Sequence, residues 1–162
     1  MKEELEILYK KINMFNEFYQ KSKENNTINE IELKEYLYDI LSWIEICIKY
    51  IEKYLKLNRE NWKLVNAFKY ANNMKKHNQL IYKCTLNRLG TFPSSHLYPS
   101  PTLYPSSFNI CWRNLPFDPK SCKKQWENYN TYLKDKNIYE TINSIFEIIK
   151  HYSKFLDTSP TT

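Results

Sequence analysis

TINEIELKEYLYDILSWIEICIKYIEKYLKL, residues 27–57, is the stretch that decides the fold class. Within it Ile31, Leu37, Ile40, Leu41, Ile44, Ile48, Ile51 and Leu55 recur at steps built from three and four residues. That spacing lays one apolar stripe along a helix and predicts helix over 28–57. Asp39, Glu45, Lys49 and Glu52 interrupt the run, so the segment is a core-facing helix and not a membrane span, which needs roughly 20 predominantly apolar residues. Thr27 followed by Glu30 fits a capping box at its start.

Working outward, the same periodicity continues. Leu5, Leu8, Ile12, Phe15 and Phe18 predict a helix over 2–24. Trp62, Val65, Phe68 and Ala71, then Leu80, Ile81 and Cys84, predict a third helix over 60–87, with room for a bend in its polar centre at 72–78. Ser121 is placed to cap a helix over 121–134 through Trp126, Tyr129 and Leu133. Ile138, Ile142, Ile145 and Ile149 mark a last helix over 137–156, and residues 158–162 read as a disordered tail.

Residues 90–120 are of another kind. They hold six of the seven prolines, and Leu97-Tyr98-Pro99-Ser100 is echoed by Leu103-Tyr104-Pro105-Ser106. Proline lacks an N–H and restricts the residue before it, so long helices are excluded there. The stretch reads as an ordered excursion pinned by Phe92, Tyr98, Tyr104, Phe108 and Trp112, with a short hairpin near 109–113. The expected fold is one all-α domain over 1–157, a bundle of four or five helices with a Pro- and aromatic-rich insertion between the third and fourth.

Composition narrows the function classes. A single Gly in 162 residues excludes the glycine-rich phosphate loops of the P-loop and dinucleotide-binding kinds. Met1-Lys2-Glu3-Glu4 lacks the apolar segment of a signal peptide, which points to a cytoplasmic protein with no membrane partner. Cys47 falls on the apolar side of the second helix, and Cys84, Cys111 and Cys122 lack ligand-pair spacing, so neither metal nor cofactor is expected. The formal net charge of +6 is unevenly spread: residues 61–126 hold ten basic side chains and only Asp118 as an acid. That segment is the expected nucleic-acid contact, through Lys69, Lys75, Lys76, Lys83, Arg88 and Arg113. Lys69, Lys76 and Lys83 repeat every seven residues, and on one continuous helix would line one side. Tyr98, Tyr104 and Trp112 are available in the same segment to stack bases or to hold the excursion down.

His77 concentrates the remaining chemistry. Asn72 and Asn73 lie one turn before it, and lysines surround it. An imidazole exchanges protons near neutral pH, amides orient phosphates or hydroxyls, and ammonium groups neutralise phosphate charge. His77, Asn72 and Asn73 are the catalytic candidates if the chain cleaves RNA.

Asn72-Asn73-Met74-Lys75-Lys76-His77 resembles the R-N-x-x-x-H motif of the HEPN superfamily, with Asn72 standing where the arginine belongs. The wider stretch AFKYANNMKKHN, residues 67–78, is similar to bacterial proteins of HEPN-like type. The resemblance implies a helical bundle that pairs as a homodimer and acts in toxin–antitoxin or antiviral defence systems. Its catalytic members are metal-independent ribonucleases. An amide supplies neither the fixed fork nor the permanent charge of a guanidinium, so an accessory or RNA-binding role is expected before endoribonuclease activity centred on His77. A protein-binding regulator using the aromatic loop is the third expectation.

Overall fold

The computed structural model describes residues 1–25, 27–87 and 107–158. Five helices and one two-stranded antiparallel sheet make up these residues, in the order α1 (Lys2–Asn25), α2 (Glu30–Tyr54), α3 (Arg59–Lys76), β1 (Tyr82–Asn87), β2 (Ser107–Trp112), α4 (Lys123–Tyr132) and α5 (Ile138–Thr158). The mostly helical architecture agrees with the periodicity of the sequence. No described helix is long and apolar enough to cross a membrane.

α1 and α2 form an antiparallel pair, tied by Phe18 on Tyr36 and by a Lys11–Asp39 ion pair of 2.8 Å. α5 returns along α1, with Tyr19 stacked on Tyr139 at 4.8 Å and Tyr9 on Phe146 at 5.8 Å. Leu37, Ile40, Leu41, Ile44 and Ile48 of α2 meet Ile142, Ile145 and Ile149 of α5 in one continuous core. Two expectations for α2 change. Asn29 caps it in place of Thr27, accepting from the backbone N–H groups of Ile31 and Glu32, because the helix begins two residues later and Asn is a preferred cap. Ile31 is consequently on the outer face and 75% exposed, with Leu33 buried in its stead.

The larger correction concerns the third helix, which stops at Lys76 and does not run to 87. Asn78 takes φ 57°, the left-handed region that Asn tolerates. The Asn78 N–H then bonds to the Lys75 carbonyl and the Gln79 N–H to the Met74 carbonyl, an interlocked pair that closes the last turn. The apolar residues beyond serve a strand. β1 pairs with β2 in the register Tyr82↔Trp112, Cys84↔Ile110, so the hairpin expected at 109–113 is real as a strand but finds its partner more than twenty residues upstream. Ile81, Tyr82, Ile110 and Trp112 enter the core. Trp112 is fully buried, packs edge-on against Phe68 at 5.6 Å and donates its indole N–H to Thr141 Oγ1 at 2.7 Å. That burial removes it as a base-stacking surface.

Ser121 does not cap α4. Cys122 holds that position with no side-chain bond, and the Ser121 hydroxyl turns instead to Asp118. Phe92, Tyr98, Tyr104 and residues 159–162 of the expected tail lie outside the described residues, as does Arg88, whereas Thr158, expected in that tail, ends α5.

Candidate nucleic-acid interface

α3 is flanked on one side by α2 and on the other by α4, both antiparallel to it. Glu52 meets Lys69 and Glu45 meets Lys76 along one flank. Asn73 meets Ser121 and Glu60 meets Tyr132 along the other. Two adjoining concavities that share Glu52 follow α3 between its neighbours, and together they are called the groove below.

At the C-terminal end of α3 the motif residues are brought together, in roles set by packing. Asn72 is only 2% exposed, and its amide N–H donates to Glu45 Oε2. Lys76 Nζ reaches both oxygens of Glu45 at 3.0 and 2.8 Å, and Lys49 Nζ reaches Oε1 at 2.8 Å. Burial of Glu45 opposes its charge, yet the hydrogen bonds from Lys49 and Lys76 prevail and hold the carboxyl down to about 2. Asn73 donates to Ser121 Oγ at 2.9 Å. Ser121 in turn donates to Asp118 Oδ2 at 3.2 Å, and the same oxygen lies 4.0 Å from His77 Nε2. Tyr70 positions this loop, donating to the Pro116 carbonyl at 2.6 Å and accepting from the Asp118 N–H at 3.3 Å.

Serine, carboxylate and imidazole are thus neighbours in the wrong order for nucleophile activation. That chemistry needs the imidazole between serine and carboxylate, so that it takes the hydroxyl proton. Here the carboxylate is in the middle and accepts that proton's hydrogen bond itself. His77 is the C-cap of α3 and 53% exposed.

The lysines singled out in the sequence do not share one face. Lys83 sits on β1 and pairs with Asp135, which removes the predicted Lys69–Lys76–Lys83 row because the helix that would have carried it ends first. Lys69 is held by both oxygens of Glu52 at 2.6 Å. Lys75 reaches over to α2, donating to the Tyr38 carbonyl at 3.0 Å and to Ser42 Oγ at 2.6 Å. Desolvation there, with the adjacent Lys76 charge, lowers its pKa from the ordinary lysine value. Arg113 is exposed just past β2, away from the groove lining. The acids that neutralise Lys69 and Lys76 come from α2, so the surplus of residues 61–126 is not the charge of any one surface.

The groove nevertheless carries a strong positive balance. Lys49 comes from α2, Lys56 from the α2–α3 turn, Arg59, Lys63, Lys69 and Lys76 from α3, and Lys120 and Lys124 from the entry to α4. Against these eight cations the lining holds two carboxylates, Glu45 and Glu52, with Glu60 just outside taking Lys63 at 2.7 Å. At the far end Trp62 and Asn128 complete the lining. Lys56, Arg59 and Lys124, the cations of this end without an ion pair among the described residues, were not distinguished by sequence: Lys56 and Arg59 belong to the local run from Lys56 to Lys63 around Trp62, and Lys124 comes from a distant segment. No group of three His, Cys, Asp or Glu side chains among the described residues converges to hold a metal ion.

No family model, curated protein or solved structure matches this chain.

Proposed function

We propose that this chain is a non-catalytic, HEPN-like accessory protein that binds RNA through the groove between α2, α3 and α4. The observation that carries the binding role is the charge of that groove, eight cations against two lining carboxylates. A phosphate backbone entering it would release its counterions, the main source of sequence-independent affinity. Two contacts of the motif support the non-catalytic reading: the Asn72 amide is committed to Glu45, and His77 has Asp118, not an activated hydroxyl, beside it. The HEPN resemblance of residues 67–78 puts such a protein in a toxin–antitoxin or antiviral setting, and brings with it a homodimer. Ile46, Tyr50 and Tyr54, an exposed stripe along α2, provide apolar surface for that pairing.

Incubation of the protein with end-labelled RNA in EDTA, beside His77→Ala, tests the proposal. Retention of intact RNA by both proteins is the expected result. Cleavage that disappears in His77→Ala would establish the endoribonuclease instead, and no retention at all would remove the RNA-binding role. A monomeric mass at micromolar concentration would remove the dimer.

A further inference from the structure

The N-terminal end of α3 differs in kind from the rest of the groove. In the motif half, Lys69 and Lys76 are neutralised by Glu52 and Glu45. At the other end Lys56, Arg59 and Lys124 form no ion pair with any described residue, although all three are exposed and line one concavity. Trp62 lies among them, half-buried, with Lys124 Nζ 4.9 Å from the centre of its ring. Asn128 lines the same concavity, although its amide nitrogen is itself buried and has no acceptor among the described residues.

We propose that Trp62 is the floor of a nucleobase subsite for single-stranded RNA. One unstacked base lies on the indole in the place now held by the Lys124 side chain. Lys56, Arg59 and the displaced Lys124 hold the flanking phosphates. The inference rests on the RNA-binding role proposed above and adds what that role lacks, a preference for unpaired strands. Duplex RNA keeps its bases stacked and presents phosphates and 2′-hydroxyls, so it has nothing to place on Trp62. The exchange is favourable because base–aromatic stacking exceeds an exposed cation–π contact, and the freed ammonium moves to a phosphate. Every base has a π-face, so the subsite is tolerant of sequence.

The test is the affinity of the full chain for a fluorescein-labelled ten-residue oligouridylate, for a duplex RNA of equal length and for polyglutamate. Trp62→Ala is expected to weaken oligouridylate binding about ten-fold, with Trp62→Phe retaining most of it and duplex binding unchanged. The salt slope should stay the same in Trp62→Ala, because stacking releases no counterions. Should Trp62→Ala fail to fold, quenching of intrinsic fluorescence serves: oligouridylate should quench the unmodified protein and Trp43→Phe, and lose that quench in Trp62→Phe. Wild-type affinity in Trp62→Ala, or an undiminished quench in Trp62→Phe, overturns the subsite while RNA binding stands. Failure of the unmodified protein to bind either RNA overturns both. Polyglutamate bound as tightly as oligouridylate would make the groove a dock for acidic protein segments and overturn the base subsite.

Discussion

The side-chain amide of Asn72 donates to the carboxylate of Glu45, joining α3 to α2 at a place where water scarcely reaches. Two ammonium groups, Lys49 and Lys76, share that carboxylate from the solvent side. One buried amide and two exposed lysines therefore converge on one anion, and the arrangement holds the C-terminal end of α3 where Asn73 and His77 meet the 118–121 loop.

Glu45 should accordingly set part of the acid stability. Its carboxyl is held at about 2 in the folded chain against an ordinary 4.5. A carboxyl lowered on folding stabilises the native state above its unfolded pKa, and that contribution is lost as pH falls through the folded value. The contribution of Glu45 should be complete above about pH 5 and vanish towards about pH 2. Urea midpoints of the unmodified protein and Glu45→Gln should differ most near neutrality and converge on acidification. A constant difference across that range would show that the lysines do not hold the charge.

The Trp112–Thr141 hydrogen bond gives a test of the core between β2 and α5. Thr141→Val keeps the shape and removes the acceptor, leaving a fully buried indole N–H unsatisfied at a cost of about 1–3 kcal/mol. In the Trp112→Phe background the same substitution should cost much less, since no donor remains to be orphaned. Chemical denaturation of the four proteins of this cycle measures the coupling, and additive losses would refute it.

Charge reversal separates the unpaired cations around Trp62 from the lysines held in ion pairs. Reversing Lys56, Arg59 and Lys124 together should weaken RNA binding, and should lower the salt slope by about 0.7 for each phosphate of a single strand that is no longer neutralised. Reversing Lys69, Lys76 and Lys83 instead sets new carboxylates against Glu52, Glu45 and Asp135, so its main effect should be a lower melting temperature. Equal weakening of binding at equal stability would mean that the field is diffuse.

Thiol reactivity should rank by burial. Desolvation pushes the Cys47 thiol up to about 12 and the Cys84 thiol up to about 11, and raises that of Cys111 as well. Cys122 is exposed at the start of α4. Brief alkylation at about pH 8 followed by peptide mass mapping should find Cys122 modified first and Cys47 last, because the thiolate is the reactive form. Comparable early modification of Cys84 would contradict the packing of β1.

What the sequence determined by itself was the set of long helices and their buried stripes. α1, α2 and α5 could be read within a few residues because an amphipathic helix repeats its signal at every turn, and Leu8, Ile12, Leu37, Ile44, Ile142 and Ile149 all entered the core as their spacing required. The end of α3 was not legible in the same way. Leu80, Ile81 and Cys84 continue a helical spacing by coincidence, and the stop rests on the backbone of one residue, Asn78, among many asparagines. The strand that follows depends on a partner more than twenty residues away, and a pairing of that range leaves no periodic trace near β1. Charge was decided later still. Lys69 and Lys76 stand out along the chain and are cancelled by acids of α2, whereas Lys124 lies far along it from Lys56 and Arg59 and joins them around Trp62 only when α3 and α4 pack together. Coulombic fields depend on distance in space, and only the tertiary fold decides which charges are neighbours.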